Sequence, residues 1–117
     1  MTDYKDLIVW QKSMDLVEEI YILTSRFPDN EIYALSNQMR RAVVSIPSNI
    51  AEGNGRNTGK DYVHFLSIAR GSKSELETQL YISLRLKYLT PEQAEKAFIL
   101  CEEIGRMLNS LINKLKN

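Results

Sequence analysis

The sequence predicts an all-α protein, an antiparallel up-down bundle of four helices. Four segments carry apolar residues three, four and seven apart, the spacing that aligns side chains on one helix face. Three short connections with turn chemistry separate them, and short connections make successive helices antiparallel neighbours. A chain of 117 residues suits one domain, 1–117, and four helices of that total length bury a real core.

The first helix is expected from Asp3–Asp6 to Arg26. Leu7, Trp10, Met14, Val17 and Tyr21 form one stripe; Val9, Leu16, Ile20 and Leu23 form a second on roughly the opposite side. A helix that is apolar on two sides is buried on two sides: either wholly within its own bundle, or with one side against a neighbouring subunit. Phe27-Pro28-Asp29-Asn30 is a turn, in which Pro28 stops the first helix and Asp29 N-caps the second. The second helix then runs to about Glu52, with Ile32, Leu35, Met39, Ala42, Val43, Ile46 and Ile50 on one face. Pro47 lies inside the pattern, where it removes one backbone donor and kinks the helix without ending it.

Gly53-Asn54-Gly55-Arg56-Asn57 reads as a C-cap and turn, because Gly59-Lys60-Asp61 fails the Gly-Lys-Ser/Thr requirement of a phosphate loop. Thr58 N-caps the third helix, and Asp61 favours its N-terminus. Tyr62, Phe65, Leu66, Ala69, Ser72, Leu76, Leu80 and Leu84 make its main face, and Ile68, Glu75, Ile82 and Leu86 a flanking stripe. Gly71 weakens a helix interior, so a packing reason is expected for it. The helix is expected to end near Lys87–Leu89. Thr90-Pro91-Glu92-Gln93 combines an N-cap, Pro at the first helical position and a capping box. The fourth helix follows, with Ala94, Ala97, Phe98, Cys101, Ile104, Leu108, Ile112 and Leu115 toward the core, and fraying is expected over residues 113–117.

Beside the apolar stripe of the second helix lies a polar row, Gln38, Ser45, Asn49 and Glu52, at the edge of the buried face where polar groups need partners. An antiparallel third helix brings Arg70, Ser72 and Glu75 toward this row. Ser45, Asn49, Glu52, Ser72 and Glu75 are expected to form a structural network that fixes register or a subunit contact. The competing reading is a binding pocket or a hydrolytic site built on Glu52 or Glu75.

Two motifs carry a family resemblance: Gln38-x-x-Arg41-Ala42-x-x-Ser45-Ile46-Pro47-x-Asn49-Ile50-Ala51-Glu52-Gly53, and Ala69-Arg70-Gly71-Ser72-x-x-Glu75-Leu76. Lesser matches are Leu7-x-x-Trp10 and Phe27-Pro28-x-x-Glu31. Together the chain resembles the four-helix-bundle family of 23S rRNA intervening-sequence proteins over nearly its whole length. The resemblance implies a ring-like homopentamer and no defined activity. A related branch resembles the accessory variability proteins of diversity-generating retroelements, which are basic and work with RNA and a reverse transcriptase, so RNA, DNA or such a protein is an expected partner.

Lysine plus arginine balance aspartate plus glutamate at 15 each, which argues against a strongly cationic wrapper of nucleic acid but leaves room for a local patch. Arg40, Arg41, Arg56, Lys60, Arg70 and Lys73 concentrate in mid-chain and are the candidate nucleic-acid contacts, while the first helix holds Asp15, Glu18 and Glu19. A ring repeats such a patch once per subunit. The alternative is a solvated face with ion pairs between subunits. Aromatic residues are not obviously interleaved with these charges, which weakens a single-strand reading.

No catalytic or metal site and no cofactor is expected. His64 is the single histidine, and no Glu-x-x-His is present. Cys101 lies on a core stripe and reads as a packed hydrophobe. The polar, acidic start is unlike a signal peptide, and no segment is apolar enough to span a bilayer, so a cytoplasmic location is expected.

Overall fold

The computed structural model describes residues 3–117. Met1 and Thr2, which the expected domain includes, lie outside the described residues. The helices are α1 (Ile8–Thr24), α2 (Leu35–Asn54), α3 (Gly59–Arg85) and α4 (Pro91–Lys116), with short 3₁₀ turns at Tyr4–Asp6 and Asp29–Glu31. No strand occurs among the described residues. Each helix packs on its two neighbours in the cyclic order α1–α2–α3–α4, giving a rod of 44 × 24 × 20 Å. Cross-helix partners fix the directions. Thr24 meets Arg40, Ser45 meets Ser72 and Arg70 meets Asn109, while Met39 meets Ser83 and Tyr81 meets Phe98. Successive helices are therefore antiparallel. The Leu16, Ile20, Ile46, Ile50, Leu66, Leu76, Leu80, Ile104 and Leu108 side chains are shut off from solvent. Each such burial stabilises the bundle by about 1.5–3 kcal/mol before entropy is counted.

The caps follow the local chemistry. Thr58 accepts from the Asp61 amide, and Thr90 with Gln93 forms the reciprocal capping box with Pro91 in the first turn. The start of α2 departs from expectation. Asp29 opens the 3₁₀ turn rather than capping α2, Ile32 lies outside the helix and is 51% exposed, and α2 begins at Leu35. Ala34 offers no side-chain cap; the Glu31 carboxylate instead accepts from the Leu35 amide at 3.3 Å. The first helix is also shorter than expected: Tyr4–Asp6 is a separate turn and α1 ends at Thr24. Helix α2 continues through Pro47, which is buried. Helix α3 ends at Arg85, and Lys87 takes a left-handed φ of 62°. Helix α4 stays helical to Lys116, beyond the expected fraying point.

Of the two stripes of α1, the one with Val9, Leu16, Ile20 and Leu23 enters the core. The other stays at the surface: Met14 is 40% and Tyr21 43% exposed, with Leu7, Trp10 and Val17 half-buried. The helix is thus not buried wholly within its own bundle.

Candidate functional site

Helix α2 organises the surface because it has a different neighbour on each side. Toward α3 it presents the polar row. Ser45 and Ser72 hydroxyls share a 2.9 Å hydrogen bond, and the Asn49 amide donates to the Ser45 hydroxyl at 2.9 Å and to the Ser45 carbonyl at 2.8 Å. With its oxygen accepting from Asn49, the Ser45 hydroxyl has its own proton free to donate to Ser72. These three half-buried side chains form a continuous chain joining α2 to α3. Glu52 is not in it; its carboxylate pairs with Arg56 at 2.9 Å, one turn on. Glu75 is exposed and has no ion pair among the described residues. Arg70 also turns away, donating to Asn109 of α4 at 2.9 Å. On α3, buried Gln79 and Ser83 extend the polar content of this seam; Ser83 donates to the Gln79 carbonyl, while Gln79 Oε1 has no partner among the described residues.

Above the Ser45–Ser72 contact runs a groove of about 430 Å³ between α2 and α3. Its walls include Asn37, Gln38 and Arg41 from α2, Ser72 and Glu75 from α3, and Tyr33 from the connection before α2. On the α1 side of α2 lies an apolar groove of about 410 Å³, where Trp10, Met14 and Val17 face Val44, Pro47 and Ala51. Pro47 suits this place: the helix loses one backbone bond there, and the ring fills the floor of the groove.

The six basic candidates do not gather into one patch within a subunit. Arg40 lies at the α1–α2 seam, where its Nε donates to Thr24 Oγ1 at 2.9 Å and its guanidinium stacks 4.8 Å from the Tyr21 ring. Arg56 and Lys60 are at the far end of the bundle, with Arg56 over the Phe65 ring at 4.7 Å. Arg70 and Lys73 face α4, Lys73 pairing with Glu77 at 2.8 Å and lying against Gly105. Arg41 and Lys60 make no ion pair among the described residues. Sequence reading missed Tyr33, which is 94% exposed and shares a groove with Arg41. An aromatic residue eight positions before an arginine gives no helical-spacing signal when a turn intervenes.

Among the described residues, no three His, Cys, Asp or Glu side chains come together as metal ligands, and no helix is long and apolar enough to cross a membrane. Cys101 is buried, and its thiol is pushed up to about 12 by burial first and the Glu77 carboxylate second, against the opposing Lys73 ammonium. Such a thiol is a poor nucleophile.

These features define an antiparallel four-helix bundle with a hydrogen-bonded α2–α3 seam and an uncovered α1–α2 groove. The chain belongs to the 23S rRNA-intervening sequence protein family, whose model matches residues 5–110. A crystal structure of a protein of unknown function from the S23 ribosomal protein family, from Bacteroides thetaiotaomicron, is similar to it. The TM-score is 0.83 at 29% identity, covering 90% of this chain and 98% of that one. No curated protein matches the chain.

Proposed function

We propose that the chain is a non-catalytic, self-assembling bundle of the cytoplasm that binds RNA through basic side chains repeated around a ring of five subunits. The observation that carries the assembly is the α1–α2 groove, an apolar surface left open on one side of the bundle. The α3–α4 seam lies on the opposite side in the cyclic order and carries an aromatic pair, exposed Tyr81 on half-buried Phe98, with ring centroids 4.8 Å apart. Two different apolar faces on opposite sides favour a head-to-tail contact, which closes into a ring when the rotation allows. The family resemblance supplies the number five. RNA is favoured because the family is associated with ribosomal RNA by its description, and because Arg41 and Lys60 have no carboxylate partner among the described residues. Repetition offsets a net charge of zero by multivalency.

The test is binding of the size-characterised protein to structured RNA across a salt series. Affinity should fall steeply with salt, and Arg41→Glu with Lys60→Glu should weaken it and flatten the slope. Binding that ignores both substitutions, or none at low salt, overturns the RNA reading.

A second reading, a structural or protein-interaction module, is favoured by one observation: Arg40, Arg56, Arg70 and Lys73 are all engaged within the subunit. It expects Asn49→Ala to disturb the oligomer with no separate loss of ligand.

A further inference from the structure

We propose that the α2–α3 groove binds one unpaired guanine nucleotide, with Tyr33 stacking on the base, Glu75 reading its Watson–Crick edge and Arg41 holding its phosphate. The ligand class rests on the reading of the bundle as an RNA binder and narrows it to a single-stranded contact. The groove, about 430 Å³, has the size of a small-ligand site. It holds one cation and one carboxylate, and no ion pair joins Arg41 to Glu75 or either to another residue among those described. Two unsatisfied opposite charges in one groove suit a ligand that offers an anion at one end and hydrogen-bond donors at the other.

Guanine is the base that fits a carboxylate. An ionised carboxylate only accepts hydrogen bonds, and its two oxygens accept best from two adjacent donors. Guanine presents N1–H and the 2-amino group side by side. Adenine and cytosine each set a ring-nitrogen acceptor beside their amino donor, and uracil flanks its one N–H with two carbonyls. Each of these three places a lone pair against Glu75. Tyr33 supplies a stacking face that is 94% exposed within the subunit. Stacking of an unpaired base on an aromatic ring is the usual way proteins hold single-stranded RNA. Gln38, Asn37 and Ser72 add further donors and acceptors along the walls, and the Asn49–Ser45–Ser72 chain beneath keeps the two helices at fixed separation.

The test is an NMR or calorimetric titration of the full chain with GMP and AMP, repeated with short single-stranded RNAs carrying one G in an A background. GMP should bind about tenfold tighter than AMP, the discrimination a bidentate base contact provides. Glu75→Gln should erase that preference, because an amide offers one acceptor and one donor. Tyr33→Ala should weaken both nucleotides alike; both positions are exposed, so the variants keep the fold. Equal affinity for GMP and AMP, or a preference that survives Glu75→Gln, overturns the guanine site. RNA binding with no guanine preference removes this inference and leaves the RNA reading intact. GMP binding without salt-sensitive RNA binding sustains the groove and removes the RNA reading.

Discussion

Lys87 is the one non-glycine residue with positive φ among those described, at 62°. It sits where α3 must stop: the Lys87 amide donates to the Leu84 carbonyl at 3.0 Å and the Tyr88 amide to the Ser83 carbonyl at 2.9 Å. That paired pattern needs a left-handed residue after the helix, a role glycine fills without steric strain. Lys87→Gly should therefore raise stability by about 1 kcal/mol, read as a higher denaturant midpoint at unchanged slope. Cys101 makes a second residue-scale prediction. Its thiol ionises near 9.0 when free and at about 12 in the fold, chiefly through burial. Below the free value both states hold the proton and the contribution is complete. Between the two values the unfolded chain has lost the proton and the folded one has not, so stability falls as pH rises. Tyr88, raised by its hydrogen bond to Glu31, acts in the same direction at higher pH. Unfolding free energy measured from pH 7 to 11 should be level and then decline, and Cys101→Ala should decline less steeply. Equal slopes would mean that the thiol does not govern the alkaline limb.

At the scale of elements, two glycines should answer the same substitution with opposite signs. A Cβ on Gly71 meets nothing within 4 Å, so no packing reason for it is found among the described residues. Gly71→Ala should stabilise α3 by about 1 kcal/mol, the ordinary helix-propensity gain. A Cβ on Gly53 would lie 2.9 Å from the Phe65 Cβ and 3.2 Å from the Tyr62 carbonyl oxygen. Gly53→Ala should force α2 and α3 apart and lower the thermal midpoint, which circular dichroism melts of the two variants will show side by side. The sequence could not separate these cases. Both glycines sit in or beside helical patterns, and the difference lies in how far each helix is rolled toward its neighbour. The same roll decides that Arg70 reaches Asn109 on α4 rather than Asn49 on α2. What was legible was local: Thr58, Thr90 and Gln93 cap as their spacing requires. The start of α2 was not, because Ile32 continues the apolar register of the helix although the chain turns between it and Leu35.

At the scale of the whole molecule, the apolar periodicity of α1 holds the information about assembly. One stripe is consumed by the core; the other, with Trp10, Met14 and Val17, meets α2 only at its edge and lines the open groove. The two stripes were readable from sequence, but which one faces outward was not, since periodicity gives the angle between stripes and not the direction of the core. The candidate site divides likewise. Ser45, Asn49 and Ser72 join as the spacing of the polar row implies, whereas Tyr33 enters the groove only through the turn before α2. If the α1–α2 groove seats a second copy, a charge placed there must be desolvated on association. Val44 is 40% exposed on its wall, so Val44→Glu leaves the core untouched and the subunit folded. Light scattering coupled to size exclusion should then show the assembly falling to monomer while helix content and the Ser45–Ser72 seam persist. Substituting Ile68 by Glu serves as the matched control and should leave the mass unchanged, since Ile68 is 39% exposed on α3 one turn before Ser72, away from both the α1–α2 groove and the Tyr81–Phe98 pair. An assembly that survives Val44→Glu places the subunit contact elsewhere and leaves the groove open to a different protein. An assembly lost in both variants would point to a general effect of the added charge rather than to a specific contact, because Ile68 lies on neither of the two apolar faces.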